Sequence, residues 1–134
     1  MTSTPRTPAR DAPVVDTTLS PHARLRPVGV AAVRVHDDFW RPRLDRNRTE
    51  TIPAQHRQCE STGALLNFQR AAGLVDTPFH GMYYSDSDVY KWVEAASWTL
   101  AGRTEDQLER TLDETIELFA AAQDDDGYLN TYFS

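Results

Sequence analysis

Hydrophobic residues recur at helical spacing through the second half of the chain. Before Gly102 they fall at i, i+3 and i+4 positions, namely Val89, Trp92, Val93, Ala96 and Leu100. A second stripe of the same kind follows Thr104, namely Leu108, Leu112, Ile116 and Phe119. Two amphipathic helices joined by a very short turn lie antiparallel, so the pattern predicts a helical hairpin.

Weaker helical patterns precede this hairpin. Asp38 can cap a helix that carries Pro42 near its first turn, where a missing N–H costs little. Pro53 then ends or kinks that helix. The stretch from Ser61 to Ala72 predicts another helix, which ends at Gly73. Together these patterns predict an all-α chain.

Two stretches before these helices have a different character. The stretch from Val30 to His36 alternates β-branched and polar residues, which predicts one short leading β-strand, although no convincing partner strand is evident. The first 28 residues hold five of the eight prolines and show no hydrophobic period. We therefore expect a disordered tail over residues 1–28 and a folded unit over residues 29–134.

Composition limits the class of protein without identifying it. The chain has 134 residues, of which 25% are charged, and no apolar run approaches the ~20 residues of a membrane helix, so we expect no membrane partner. The N-terminus lacks the apolar segment of a secretory signal, which favours a cytoplasmic location. Cys59 is the only cysteine, which excludes an internal disulfide and a metal site built from cysteines alone.

Charge is distributed unevenly along the chain. Residues 1–75 carry 11 basic and 7 acidic side chains, a net of +4, whereas residues 76–134 carry 3 and 13, a net of −10. A basic half can indicate a nucleic-acid partner. The arginines here are scattered among Pro, Thr and Asp and form no clear face, so we expect no nucleic acid.

Candidate chemistry is concentrated between Phe79 and Trp92. This stretch combines aromatic rings with carboxylates and the chain's only lysine, in a loop that opens into a helix. Flat apolar faces beside hydrogen-bonding groups suit a carbohydrate-sized polar ligand, so Phe79, His80, Asp86 and Asp88 are candidate binding residues. The alternative is structural, with a helix cap at Asp86 or Asp88 and the aromatic rings in the core.

A second polar and aromatic stretch runs from Gln123 to Tyr132. Its candidate binding residues are Gln123, Asp126 and Tyr128. Three consecutive aspartates can indicate calcium, but the spacing of an EF-hand and its distal glutamate are absent. The structural alternative is a polar turn whose tyrosines fold back on the core.

Strings in these two stretches resemble a known family. They are Asp86-Ser87-Asp88-Val89-Tyr90-Lys91-Trp92 and Asp126-Gly127-Tyr128-Leu129-Asn130-Thr131. With upstream pieces such as Phe39-Trp40 and Thr51-Ile52-Pro53, in the expected order, they are similar to the N-terminal part of glycoside hydrolase family 127, the β-L-arabinofuranosidases. The resemblance covers residues 30 to 133.

The resemblance implies a fold, an activity and a cofactor for the full-length family. It implies an (α/α)6-barrel catalytic domain followed by β-sandwich domains, and release of L-arabinofuranose from β-linked arabinosides with retention. It also implies a cysteine thiolate nucleophile beside a zinc ion and a glutamate acid/base, all downstream of the matched region. Cys59 matches none of these groups, so the resemblance implies neither a catalytic residue nor a zinc ligand in this chain.

We therefore expect an N-terminal fragment of a retaining glycosidase that is inactive by itself. Its two polar and aromatic stretches are expected to form part of the rim of a sugar-binding cavity, whose partner is an arabinoside. The alternative is a non-catalytic helical module that binds carbohydrate or a protein through its exposed aromatic surface.

Overall fold

Proline, glycine and short hydrophobic stripes divide the chain into five α-helices within residues 13–133, the span that the computed structural model describes. The helices are α1 (Trp40–Arg46), α2 (Ile52–Ser61), α3 (Ala64–Ala71), α4 (Asp86–Gly102) and α5 (Asp106–Ala122). The prediction of an all-α chain is thereby confirmed. No helix in this span is long and apolar enough to cross a membrane.

The first two helices form one almost continuous helical segment. Asp37, rather than the predicted Asp38, caps its start, because its Oδ1 accepts hydrogen bonds from the backbone N–H groups of Phe39, at 2.8 Å, and Trp40. A π-helical turn over Asn47–Thr51 joins α1 to α2. Pro53 is the second residue of α2, close behind this wider turn, which absorbs the missing donor and the ring clash that proline causes inside a helix.

The core lies where α2, α3, α4 and α5 meet. Its buried residues include Ile52, Phe68, Val89, Trp92, Ala96 and Leu112. The Trp92 indole N–H donates to the Ile52 carbonyl at 3.0 Å, which satisfies a buried donor and ties α4 to α2. The predicted hairpin is present as α4 and α5, which pack against each other across a three-residue connection.

The predicted leading β-strand from Val30 to His36 is wrong. Val30–Ala32 forms a 3₁₀ turn, in which the N–H of Val33 donates to the Val30 carbonyl at 3.1 Å, and no strand occurs within residues 13–133. A strand needs a neighbour to accept its backbone hydrogen bonds, and the described chain offers none. The turn packs instead against α4.

The predicted tail over residues 1–28 lies partly outside the described residues, which begin at 13. Residues 13–28 form neither helix nor strand and are almost entirely exposed. Local contacts organise short turns there, such as the hydrogen bond from the Thr18 N–H to Asp16 Oδ1 at 2.8 Å, which lowers the pKa of the Asp16 carboxyl. The division into tail and folded unit stays a prediction.

Candidate substrate-binding site

Two loops meet beside the N-terminus of α4. The first loop (residues 73–85) connects α3 to α4, and the second loop (residues 123–133) follows α5. In a helical hairpin the end of the second helix returns to the start of the first, so the second loop arrives next to the first. The antiparallel pairing of α4 and α5 thus places both predicted binding stretches together.

Asp86 fastens the second loop to α4. Its Oδ2 accepts a hydrogen bond from the backbone N–H of Thr131 at 2.8 Å, and its Oδ1 accepts one from the Thr131 hydroxyl at 2.5 Å. Arg70 on α3 donates to the Thr131 carbonyl at 3.1 Å. Asp86 is 4% exposed and Thr131 is fully buried, so the pair, here called the Asp86–Thr131 clamp, is shielded from competing water.

Aromatic rings from α3, α4 and α5 pack together one helical turn from Asp86. Tyr90, one turn further along α4, packs edge-on against Phe68 and Phe119, with ring centroids 5.7 Å and 5.2 Å away. Burial raises the pKa of the Tyr90 hydroxyl, and the charge of Asp86 raises it further. Tyr90 is therefore a structural element of the three-helix junction and stays protonated at neutral pH.

Asn67 fastens the first loop in a comparable way. Its side-chain amide pairs with the backbone of His80 in both directions, accepting from the His80 N–H and donating to the His80 carbonyl, each at 2.8 Å. Asn67 is fully buried. The loop also runs close to Gly63, since a Cβ at that position would lie 2.8 Å from the His80 Cβ. The position of His80 is thus fixed through its backbone, while its ring lies 3.4 Å from the Thr77 hydroxyl.

The two loops present a shared group of aromatic rings, here called the aromatic cluster. Its members are Phe79, Tyr83, Tyr84, Tyr132 and Phe133. Phe79 from the first loop meets Tyr132 from the second edge-to-face, with centroids 5.1 Å apart. Tyr83 lies 6.4 Å from the same Tyr132 ring. Tyr83 is 62% exposed and Tyr132 is 48% exposed, so these rings offer open faces to solvent.

Two predicted residues of the second loop hydrogen-bond to its own backbone. The Gln123 side-chain amide donates to the Gly127 carbonyl at 2.7 Å, and Asp126 Oδ1 accepts from the Tyr128 N–H at 2.9 Å. These contacts fix the turn that carries Tyr128, a residue that is 49% exposed. Gln123 and Asp126 therefore shape the loop, and Tyr128 is the member of this group with a free aromatic face.

Asp88 lies on another side of α4 from Asp86. Two residues along an α-helix correspond to about 200° of rotation, and the Asp88 side chain is exposed beside Lys91, with its Oδ1 3.8 Å from the Lys91 Nζ. Both residues line a cavity of about 400 Å³ that also contacts Cys59 and Trp92. Burial raises the pKa of the Cys59 thiol, and the charge of Asp88 raises it further.

The structure therefore brings together some of the predicted residues and separates one. Phe79 and Asp86 contact the second loop and His80 is held against α3 by Asn67, whereas Asp88 faces the α2 side. The sequence patterns gave no role to Asn67 and Thr131, which hold the two loops, whereas Tyr132, noted with Tyr128 as a flat aromatic face, joins the aromatic cluster. An asparagine beside Phe68 within a hydrophobic helix stripe was the one available signal for Asn67, because a buried amide requires partners.

The described residues do not fit a zinc site. Within residues 13–133 no three His, Cys, Asp or Glu side chains converge closely enough to hold a metal ion. Buried side-chain nitrogen and oxygen atoms in the same span all have hydrogen-bond partners, so none is left pointing at an absent ligand. Zinc would need donors from outside this span.

A protein family and an individual enzyme match this chain in sequence. The sequence model of a family described as the GH127 catalytic domain of β-L-arabinofuranosidases matches residues 32–134. The non-reducing end β-L-arabinofuranosidase of Bifidobacterium longum subsp. longum is 45% identical over 118 residues, which cover 74% of this chain and 18% of that enzyme.

Two solved structures resemble the chain. A GH127 β-L-arabinofuranosidase from Geobacillus stearothermophilus T6 is 41% identical and superposes with a TM-score of 0.73, covering 75% of this chain and 17% of that one. A second GH127 β-arabinofuranosidase is 40% identical with a TM-score of 0.69, covering 76% of this chain and 16% of that one. The chain thus spans less than a fifth of the length of these relatives.

Proposed function

The chain belongs to glycoside hydrolase family 127, whose solved relatives are (α/α)6-barrel enzymes, and on that premise we propose that it serves as the first part of the barrel of a β-L-arabinofuranosidase. The substrate class is a β-linked L-arabinofuranoside, attacked at its non-reducing end. The observation that carries this proposal is the 45% identity to the Bifidobacterium enzyme over 118 residues.

In this proposal the chain supplies framework and rim, and the chemistry comes from elsewhere in the barrel. Glycoside hydrolysis requires an acid and a nucleophile that both reach the glycosidic bond. The best-placed carboxylate at the loop junction, Asp86, is buried and engaged with Thr131. Cys59 is buried, with a pKa raised by that burial, which disfavours the reactive thiolate. The chain by itself is therefore expected to be inactive.

In this proposal zinc, like the catalytic groups, is bound by the rest of the barrel. The family resemblance implies a zinc ion, and the donor set of residues 13–133 does not fit one. We place the zinc ligands in the part of the barrel that corresponds to the remainder of the relatives. No step of the proposed role of this chain depends on the metal.

A hybrid enzyme tests the proposal. Residues 32–134 of this chain replace the aligned segment of the Bifidobacterium enzyme, and the purified hybrid is assayed for arabinose release from β-linked and α-linked L-arabinofuranosides. We expect the hybrid to retain activity on the β-linked substrate within about tenfold of the parent enzyme, or ~1.4 kcal/mol in activation free energy. The parent with the segment deleted is the matched control.

A folded hybrid without activity on β-linked substrates would contradict the proposal. A hybrid that prefers the α-linked substrate would assign the chain to a different specificity. The isolated chain, assayed in parallel, is expected to release no arabinose from either substrate.

The exposed aromatic cluster favours a second candidate, a non-catalytic helical module that binds carbohydrate or a protein. Calorimetric titration of the isolated chain with arabinose and short β-arabinosides separates the two functions. A binding module gives saturable heat with the isolated chain, whereas a barrel segment that needs the rest of its ring gives none.

A further inference from the structure

The loop junction has more hydrogen bonds to buried side chains than a connection between helices requires. Each loop is held by one buried polar side chain, Asn67 for the first and Asp86 for the second. Burying a carboxylate is costly unless its hydrogen bonds are complete. In a surface turn the polar groups could hydrogen-bond to water instead. The buried clamp therefore indicates that the second loop is held in one position relative to α4.

The clamp determines where Tyr132 lies. Thr131 directly precedes Tyr132, and all three of its polar groups are engaged, two by Asp86 and its carbonyl by Arg70. A residue with no free polar group cannot shift without breaking a buried hydrogen bond. The adjacent Tyr132 ring is therefore held against Phe79, with its centroid 5.1 Å away.

Within residues 13–133 the resulting surface is open rather than enclosed. Phe79 is half-buried and supports Tyr132 edge-to-face, while Tyr83 and Tyr132 keep 62% and 48% of their surfaces exposed. An enzyme that removes the terminal sugar must enclose that sugar, whereas the next unit of the substrate lies toward the opening. Open aromatic faces with hydroxyl tips suit this second unit, since they contact the C–H face of a sugar ring and leave its hydroxyls hydrated.

We propose that Asp86 is a positioning residue, which holds Thr131 so that Tyr132, Phe79 and Tyr83 form a stacking surface for the leaving-group sugar of a β-L-arabinofuranoside. This inference rests on the proposed function and deepens it, because it assigns binding of the leaving-group sugar to this chain. Asp86 acts through Thr131 and does not touch the substrate.

The test uses the hybrid enzyme with two substrates that differ only in the leaving group. One is methyl β-L-arabinofuranoside, and the other is a β-L-arabinofuranosyl disaccharide. Tyr132→Ala removes the ring, and Tyr132→Phe keeps it as the matched control. We expect Tyr132→Ala to raise KM for the disaccharide about tenfold with kcat unchanged, and to leave the methyl glycoside within about twofold. Tyr132→Phe is expected to keep KM for the disaccharide within about threefold.

The clamp is tested by a second pair of variants. Thr131→Val deletes the hydroxyl that donates to Asp86 at nearly constant shape, and Thr131→Ser retains it. Thr131→Val is expected to raise KM for the disaccharide about fivefold and to leave KM for the methyl glycoside unchanged. Thr131→Ser is expected to keep KM for the disaccharide at the value of the unsubstituted hybrid. A purely structural role would change both substrates equally.

The outcomes separate this inference from the proposed function. If the hybrid without point substitutions is inactive, the result counts against the proposed function itself. An active hybrid in which Tyr132→Ala changes both substrates equally, or neither, overturns the stacking surface. If Thr131→Val fails to fold, the two Tyr132 variants still decide whether the surface contacts the leaving group, and Asp86→Asn, which keeps the side-chain size, then tests the clamp by the same KM comparison.

Discussion

Asp86 and Asp88 begin the same helix two residues apart, yet they lie in opposite environments. Asp86 is 4% exposed and accepts two hydrogen bonds from Thr131. The Asp88 side chain is 67% exposed and approaches one lysine at 3.8 Å. Both carboxylates are favoured by the helix N-terminus, so helix electrostatics does not distinguish them. What distinguishes them is the direction in which each side chain leaves the helix.

This difference divides the α4 region into two sides with different roles. On the Asp86 side, buried polar contacts join α3, α4 and two loops, and they carry the aromatic cluster. On the Asp88 side, Lys91 and Cys59 line a cavity between α2 and α4 with few specific polar contacts. A residue type and its sequence position therefore predict a candidate, while the neighbouring elements determine its role.

Removing the two carboxylates in turn should give the largest contrast. Asp86→Ala leaves two buried donors of Thr131 without an acceptor, so we expect a loss of about 3 kcal/mol in the free energy of unfolding. Asp88→Ala breaks only an exposed pair and should cost about 0.5 kcal/mol or less. Urea unfolding of the chain, followed by circular dichroism, measures both values. Equal losses would refute the division between the two sides.

The amide that holds the first loop should give the next largest effect. Asn67→Ala removes both hydrogen bonds to His80 and opens a small cavity, so we expect a loss of about 2 kcal/mol. The control is Gln55→Ala, an exposed amide that lines the cavity on the Asp88 side, which should change stability by less than about 0.5 kcal/mol. The same urea titration reports both. An Asn67 variant as stable as the Gln55 variant would show that the first loop needs no anchor.

A pair of glycines separates backbone strain from crowding at the first loop. Gly63 and Gly73 both have positive φ angles, 81° and 70°, but only Gly63 lies against His80. Gly73→Ala should cost about 1 kcal/mol from the left-handed backbone alone. Gly63→Ala adds a clash with the His80 side chain, so we expect about 2 kcal/mol. Thermal unfolding midpoints give the order of the two variants, and a reversed order would exclude crowding by His80.

The helices α4 and α5 were predictable from the sequence, whereas the extent of α2 and the junction between the loops were not. The α4 and α5 stripes specify their helices because each apolar residue repeats on one face. The β-strand at Val30 to His36 failed because alternation is local, whereas a strand depends on a partner elsewhere in the chain. The contact between Asp86 and Thr131 spans 45 positions, so no local pattern carries it. Family strings located both stretches without showing that one fastens the other.

The smallest expected effect is on the Asp88 side of α4, where the pH dependence of Cys59 alkylation can be measured. Burial raises the pKa of this thiol above its usual 9.0, with Asp88 as the second cause, so alkylation by iodoacetamide should reach half its maximal rate above pH 9.0. Because the folded chain favours the protonated thiol, its contribution to stability is constant at lower pH and is lost as the pH rises through the raised pKa.

Asp88→Asn removes a negative charge near the thiol and should lower that pKa. Asp113→Asn, an exposed carboxylate on α5, is the matched control and should leave it unchanged. Cys59 is the chain's only cysteine, so the labelling rate reports this site alone. If both variants left the pH profile unchanged, the charge of Asp88 would have no measurable influence on the thiol.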